Sequence, residues 1–483
     1  MDLSEYRQRA SKYLAERSEE LYRYASGHKA TLDLAPIYEK YVSSLFADQI
    51  VDTMMNLYKN SSSEETRTLR KLLKFTVEHN LSHKVRSLDE QMAKSANNDD
   101  VQTLEMTIAN TEEREDRRRL YGELQKRMEN IHRLRIERLA VYESSGRQVL
   151  GSSYDDLYGE LNELDLDMLR AQLDNFLQAS RDYYYGQLRR FSELVLGLKS
   201  VEVMPWDVAR LLRGSPYDYL FEDGKAMSLA KRTLMGLGID LKKMNNIVID
   251  AEERPRKSAV AQCIRVHVPE KVYLVMRPQG GLVDILTLFH EIGRALHAAC
   301  VKEDVSFEDR YLGDAAVSRT MGFLFQYIVL NHEWLADYLK VQCSEELRSF
   351  TQFKKLYSLR REAVRFLSAL DYFRTDKPSE KDLLQRVTES MTDVLGHPVD
   401  EDFALSGFDR PLSETDFLRG WIFEAELREI LVNRFGPRWY SRPGAGDFLK
   451  ELWRFGERFS VEELAARVRF VELNMGPITR ELA

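Results

Sequence analysis

The chain has 483 residues, of which 43% are hydrophobic and 31% are charged. This length allows a large buried core in two or three lobes, and the composition is that of a folded globular protein, which excludes extensive disorder. The net charge of -8 comes from 70 basic and 78 acidic residues that are mixed along the chain. We therefore expect no nucleic-acid partner.

The cysteines and the N-terminus allow a prediction of where in the cell the protein is found. Cys263, Cys300 and Cys343 share no short spacing, so neither a disulfide framework nor a cysteine zinc site is predicted. The first residues carry charges every few positions and lack the apolar core of a signal peptide, and no apolar run reaches membrane-spanning length. The expected protein is cytoplasmic and has no membrane partner.

The predicted fold class is mainly α, because only 12 prolines and 24 glycines occur and apolar residues recur three or four positions apart. One long helix is predicted over residues 101–142, with charges of both signs opposite an apolar stripe. The best strand candidates are residues 247–249, 261–268 and 272–276. They predict a small sheet inside a helical protein.

The stretch HEIGRALH, from His290 to His297, nearly matches the zinc-peptidase signature H-E-x-x-H. In that signature two histidines on one helix face bind Zn²⁺ and the glutamate activates a water molecule. Here Arg294 stands at the second histidine, and its permanently protonated guanidinium offers only donors. His297 lies about 10.5 Å further along the helix axis than His290, too far for both rings to hold one ion. His297 is expected to support the site or to pack in the core.

This motif and its surroundings resemble the thimet oligopeptidase and oligoendopeptidase F family of zinc peptidases. HEIGRALH is similar to the family's H-E-[FAL]-G-H-x-x-H, and the resemblance continues through AAVSRTMGFLFQYIVLNHEWL, FLRGWIFEAELREILVNRFG and GAGDFLKELWRFGERFS. The resemblance covers nearly the whole chain, although it is weaker in the N-terminal helices. It implies a clam-like helical fold with a small sheet beside the motif helix. The implied domains are an N-terminal helical lobe with a long helical hairpin over residues 1–200 and a peptidase-like domain over residues 201–483.

The resemblance also implies that the catalytic site is degenerate. Family members take their third zinc ligand from a glutamate in a stretch that VSRTMGFLFQ resembles, and Arg319 stands at that position. Their oxyanion-stabilising tyrosines fall where this chain has Ser413 and Phe417. Of the zinc ligands only His290 remains, so no zinc cofactor is expected. Without a metal to polarise water, Glu291 is a vestige of the general base.

The leading hypothesis is thus a catalytically inactive pseudo-oligopeptidase with a channel that binds a peptide or a protein partner. Arg294 and Arg319 would restore about two positive charges beside Glu291. These charges either satisfy one another in a buried network or form, with His297, an anion pocket for a peptide carboxylate. Two other functions stay open: an active zinc oligopeptidase completed by an unrecognised ligand, and a non-metal enzyme that uses Glu291, Arg294 and Arg319 on an anionic substrate.

The strand region has two open interpretations. Residues 261–276 match the edge where substrate peptides of the family bind by strand addition, but RPRKSAVAQC replaces a stretch similar to R-P-G-K-S-P-R-A-F-C. Either a peptide groove survives or the edge is covered by the protein's own helices. The isolated His267, His332 and His397 are interpreted as ordinary hydrogen-bonded or surface histidines.

Overall fold

A computed structural model describes the chain except at residues 97, 130, 222–223, 259, 278–279, 341–344, 376, 470–472 and 482–483. Helices dominate, and one three-stranded sheet is the only β-structure in the residues described. The predicted mainly α fold with a small sheet is confirmed. Every helix in the described part of the chain is too short or too polar to cross a membrane.

The α-helices follow one another in chain order and are joined by short loops and by 3₁₀ or π-helical turns. They are α1 (Leu3–Ala25), α2 (Ala35–Tyr41), α3 (Asp48–Lys59), α4 (Thr66–Lys84), α5 (Arg86–Ala96), α6 (Asn98–Asn110), α7 (Arg114–Met128), α8 (Ile131–Val149), α9 (Tyr154–Asn162), α10 (Leu166–Ala179), α11 (Arg181–Phe191), α12 (Pro205–Arg213), α13 (Lys225–Gly236), α14 (Gly281–Ala299), α15 (Phe307–Tyr311), α16 (Ala315–Gln326), α17 (His332–Trp334), α18 (Glu345–Arg374), α19 (Glu380–Leu395), α20 (Glu401–Ala404), α21 (Glu414–Phe435), α22 (Pro443–Trp453), α23 (Val461–Arg469) and α24 (Gly476–Arg480).

The long helix predicted over residues 101–142 is wrong, because α6, α7 and α8 divide that region. The chain leaves the helical conformation before α7, where Glu113 is extended. Arg117, which is 3% exposed, donates to the carbonyl oxygens of Thr111 at 3.2 Å and Glu112 at 2.6 Å. Its Nη2 also donates to Asp207 at 2.9 Å. A buried arginine thus satisfies carbonyl groups that a continuous helix would have paired internally.

The sheet consists of β1 (Ile247–Asp250), β2 (Gln262–His267) and β3 (Lys271–Val275), close to the three predicted strands. The order is β1-β3-β2; β1 runs parallel to β3, and β2 runs antiparallel to it. Side chains alternate between the two faces, as strand geometry requires. Cys263 and Val272 pack with Ala295 of α14, whereas Ile264 and Tyr273 pack with the end of α1. The motif helix and α1 therefore cover opposite faces of the sheet.

The chain forms two compact units, each assembled from separated stretches. The first unit comprises residues 1–80, 219–344 and 419–474, and the second comprises residues 81–218, 345–418 and 475–483. The division into domains at residue 200 stays a prediction. The first unit holds the sheet and α14, so the motif and its immediate neighbours are described within it.

Candidate functional site

The motif lies on α14, which is buried on almost every side. Its apolar side chains pack in the core: Leu286, Phe289, Ile292 and Leu296 are each no more than 3% exposed. The sheet covers one side of the helix and α16 another. A helix buried on several faces needs apolar residues all round, which makes the polar side chains of His290, Glu291 and Arg294 stand out as a site.

Two glycines bring α14 and α16 close together. A Cβ atom at Gly293 would lie 2.1 Å from the carbonyl oxygen of Met321, and one at Gly322 would lie 2.6 Å from Cε1 of His290. The helices can approach each other this closely only because neither position carries a side chain. As a result, His290 and Arg294 on α14 share one contact region with Arg319 on α16.

His290 is a neutral, hydrogen-bonded imidazole. Its Nδ1 lies 2.8 Å from Oε1 of Gln326, so with the amide oxygen facing the ring Nδ1 carries the proton. Phe323 packs edge-on against the ring at a centroid distance of 5.0 Å. Burial, followed by the charges of Arg294 and Arg319, lowers the pKa of His290 to about 3. The ring therefore has no positive charge at neutral pH.

The carboxylate of Glu291 joins α14 to the edge of the sheet. Its Oε2 accepts the backbone N–H of Cys263 at 2.7 Å and Nη1 of Arg294 at 3.0 Å. Glu291 is 8% exposed. Because β2 is an edge strand, the N–H of Cys263 points away from β3 and would otherwise be free to bind an added strand. At this residue the strand edge is occupied by the protein's own side chain.

The two arginines add positive charge beside this carboxylate. Nε of Arg294 is buried and has no hydrogen-bond partner within the described part of the chain. Arg319 is half-buried on α16, with its Cβ against Gly420 of α21. Both guanidinium groups act on the pKa of His290. The structure thus brings His290, Glu291 and Arg294 together, with Arg319 near enough to lower the pKa of His290.

This set of side chains does not fit a zinc ion. Zinc in a peptidase takes three protein donors from imidazole, carboxylate or thiolate groups. Here Nε2 of His290 is the remaining imidazole donor, and two guanidinium groups would repel a dication. Across the residues described, no three or more His, Cys, Asp or Glu side chains form a group that could hold a metal ion.

His297 lies in the core. Its ring is 1% exposed, and Nε2 hydrogen-bonds to the carbonyl oxygen of Gly456 at 3.1 Å. Burial is the main cause of its lowered pKa, against the opposing effect of Glu457. Its hydrogen bond goes to Gly456 rather than to Glu291 or an arginine of the site.

Ser413 and Phe417 belong to the second unit. Oγ of Ser413 donates to the carbonyl oxygen of Arg410 at 2.7 Å in the turn before α21, and Phe417 is half-buried in the first turn of that helix. Of the cysteines, Cys343 lies outside the described residues. Burial raises the pKa of both Cys263 and Cys300 to about 11, so these thiols stay protonated and are poor nucleophiles at neutral pH.

Three parts of the site were not predicted from the sequence: Gln326, the backbone of Cys263, and the glycines Gly293 and Gly322 at the helix crossing. Gln326 lies seven residues after Arg319 on the same helix, which puts both near one face, and this spacing was a usable signal. Nothing local in the sequence indicates that a strand N–H pairs with Glu291.

No family model matches the chain, and no curated protein matches its sequence. Among solved structures, the M32 carboxypeptidase from Deinococcus radiodurans R1 is similar, with a TM-score of 0.58 and 15% identity over 99% of this chain and 97% of that chain. At this identity the similarity shows the fold alone. The chain therefore has a peptidase-like fold.

Proposed function

We propose that this protein is a pseudo-oligopeptidase that binds a peptide through its carboxylate and does not hydrolyse it. The proposal assigns the chain to the thimet oligopeptidase and oligoendopeptidase F type as a divergent member. It rests above all on the positions of Arg294 and Arg319, which flank His290 where the resemblance calls for zinc ligands. The peptidase-like fold supports the assignment.

The charges of the site support anion binding over catalysis. Glu291 offers its carboxylate to Arg294, and His290, whose pKa is lowered by burial, carries no charge at neutral pH. The side chain of Arg294 is partly exposed, and a carboxylate is the acceptor that guanidinium binds best. Glu291 itself is engaged by Cys263 and Arg294, which makes it a poor base.

Metal content and hydrolysis test the loss of catalysis. The purified protein should contain well under one zinc per chain by mass spectrometry, even after incubation with zinc and dialysis. It should also leave a quenched fluorescent peptide uncleaved. Stoichiometric zinc together with chelator-sensitive cleavage would overturn the proposal and establish the active-oligopeptidase alternative.

A peptide pair tests the binding part of the proposal. A fluorescent peptide with a free C-terminal carboxylate should bind at least tenfold more tightly than the same peptide with a C-terminal amide. Arg319→Met should remove this difference, whereas Arg442→Met, at an exposed position, should keep it. Equal affinity for acid and amide in the wild type would contradict carboxylate recognition.

A double reversion tests whether the arginines stand at former ligand positions. Arg294→His together with Arg319→Glu supplies an imidazole and a carboxylate beside His290, so one zinc per chain should bind. The control variant, Arg442→His with Arg386→Glu, makes the same exchanges at exposed positions and should bind none. If the double reversion folds but binds no zinc, the placement of Arg319 is wrong.

A further inference from the structure

The second unit contains a large cavity that the proposed function does not use. Its volume is about 970 Å³, at the upper end of the range for small-molecule sites. Helices α5, α6, α7, α8, α12 and α18 and the segment after α19 contribute its walls, and all of these residues lie within the second unit. The cavity therefore belongs to one compact unit.

Five helices other than α18 supply the aliphatic residues of the cavity lining, here called the aliphatic side. Branched and thioether side chains from five helices form it, with few aromatic rings: Met92, Val101, Ile108, Leu124, Met128, Ile131, Val208 and Leu212. Flexible side chains of this kind adapt to an alkyl chain, and each methylene buried there contributes about 0.8 kcal/mol. This side favours a ligand with an aliphatic body.

The wall formed by α18 is cationic. Oε1 of Glu362 accepts both Nε of Arg361 at 2.8 Å and Nη1 of Arg365 at 3.3 Å, so two guanidinium groups share one carboxylate oxygen. Arg365 also donates to Oγ of Ser406 at 2.6 Å, while its buried Nε has no hydrogen-bond partner among the described residues. Burial raises the pKa of the neighbouring Glu414 to about 8, so this carboxyl group is largely uncharged at neutral pH. Positive charge is in excess at this wall.

Two arginines that α8 contributes to the cavity are paired with carboxylates. Nε of Arg135 donates to Asp409 at 2.8 Å, and Nη1 of Arg138 pairs with Asp89 at 2.8 Å. Burial raises the pKa of Glu105, which favours its uncharged form. By contrast, Arg361 and Arg365 share a single carboxylate, which leaves a net positive charge. The α18 wall is therefore the place where an anion would bind.

A rigid polar pair lies beside this wall. Tyr357 and His397 stack with their rings 9° from parallel, and the tyrosine hydroxyl lies 3.1 Å from Nε2 of the histidine. Nδ1 of His397 bonds to the carbonyl oxygen of Pro398 at 2.8 Å, so Nδ1 carries the proton and Nε2 accepts from the tyrosine. Since both groups satisfy each other, they add no acceptor that would compete for the arginines.

We propose that this cavity binds a single-chain aliphatic carboxylate, with its head group on Arg361 and Arg365 and its alkyl chain along the aliphatic side. The carboxylate would take up the excess positive charge through charge-assisted hydrogen bonds from the two guanidinium groups. A neutral or cationic amphiphile would leave that charge uncompensated in a desolvated wall. The site is independent of the cluster around Glu291.

Calorimetric titration of the full-length protein with decanoate, below its micelle concentration, tests the proposal. One decanoate should bind per chain, whereas acetate and decyltrimethylammonium should bind at least tenfold more weakly, because the first lacks the chain and the second has the opposite charge. Failure of decanoate to bind, or equal binding of decanoate and decyltrimethylammonium, would overturn it.

Three variants locate the site. Arg361→Gln and Arg365→Gln should each weaken decanoate binding at least tenfold, and Val208→Trp should abolish it by filling the aliphatic side without altering charge. Arg348→Gln, on the same helix but outside the cavity wall, should bind as the wild type does. Thermal melting checks that each variant is folded. If either arginine variant is unfolded, Val208→Trp still tests whether decanoate binds in this cavity. Wild-type affinity in a folded Val208→Trp protein would place the ligand elsewhere.

Discussion

The carboxylate of Glu291 accepts the backbone N–H of Cys263 at 2.7 Å, across 28 residues of chain. This contact gives a residue at a catalytic position a structural role, because it joins the motif helix to the edge of the sheet. The pairing with Arg294 adds a charge-assisted bond on the same side chain.

Replacing Glu291 should destabilise the protein. Glu291→Ala leaves the N–H of Cys263 and a largely buried guanidinium without their acceptor, so the free energy of unfolding should fall by about 2 to 4 kcal/mol. Urea denaturation measures the change. Glu451→Ala is a matched control, because Glu451 forms an i,i+3 pair with Arg454 at an exposed position and should change stability by less than about 0.5 kcal/mol. A stability gain in Glu291→Ala would show that the residue is held for chemistry instead.

Removing a neighbouring charge should raise the pKa of His290. Burial is the main cause of its low pKa, and the cations Arg294 and Arg319 lower it further. Arg319→Met should therefore raise the pKa of His290 from about 3, while burial keeps it below the usual 6.5. Titration of the ring protons by NMR measures this change, with Arg386→Met as the control at an exposed position. An unchanged pKa in Arg319→Met would show that Arg319 does not act on the ring.

Glu414 should make stability depend on pH. Its folded pKa, about 8, lies above its ordinary value of 4.5, so the folded state binds more protons than the unfolded state between these values. Stability from this group is full below about pH 4.5 and is lost as the pH rises through 8. Relative to the wild type, Glu414→Gln should gain up to about 1.4 kcal/mol per pH unit across this window.

Urea denaturation at several pH values tests the effect of Glu414. Glu389→Gln, at an exposed position of α19, is the control for the exchange itself. A stability difference between Glu414→Gln and the wild type that does not grow between pH 4.5 and 8 would contradict a raised pKa.

The crossing of α14 and α16 should tolerate no side chain at Gly293. Gly293→Ala places a Cβ atom 2.1 Å from the carbonyl oxygen of Met321, so the helices must separate. The loss of stability should exceed about 2 kcal/mol. By contrast, Gly186→Ala on α11 meets no atom within 4 Å and should be neutral or gain up to about 1 kcal/mol. Thermal melting compares the two variants, and equal melting temperatures would contradict the close helix contact.

Local patterns predicted much of this architecture. The expected predominance of helices is found, and the strands predicted at residues 247–249, 261–268 and 272–276 are found close to these positions as β1, β2 and β3. These elements depend on residues three or four apart, or on neighbours in a strand. The similarity to a peptidase fold agrees with the motif-based expectation at that coarse level, while the particular family stays a prediction.

Long-range contacts account for what the sequence could not predict. The break before α7 depends on Arg117 reaching Asp207, which lies 90 residues further on. The hydrogen bond from Cys263 to Glu291 depends on how a strand edge meets a helix. Likewise, the cationic wall at Arg361 and Arg365 emerges only when six helices and a loop enclose the cavity. No periodic pattern of residues in the sequence indicates any of these contacts.

The alternation of the chain between its two units has a consequence for biosynthesis. The first unit receives its last stretch only after residue 418 has been made, and the second unit waits for residues 475–483. Because chain growth proceeds from the N-terminus, neither unit can complete its contacts while most of the chain is emerging from the ribosome. Any contiguous fragment that contains all of the first unit must also carry residues 81–218 and 345–418 of the other. Dissection of this protein will therefore succeed through point substitutions, not through truncation.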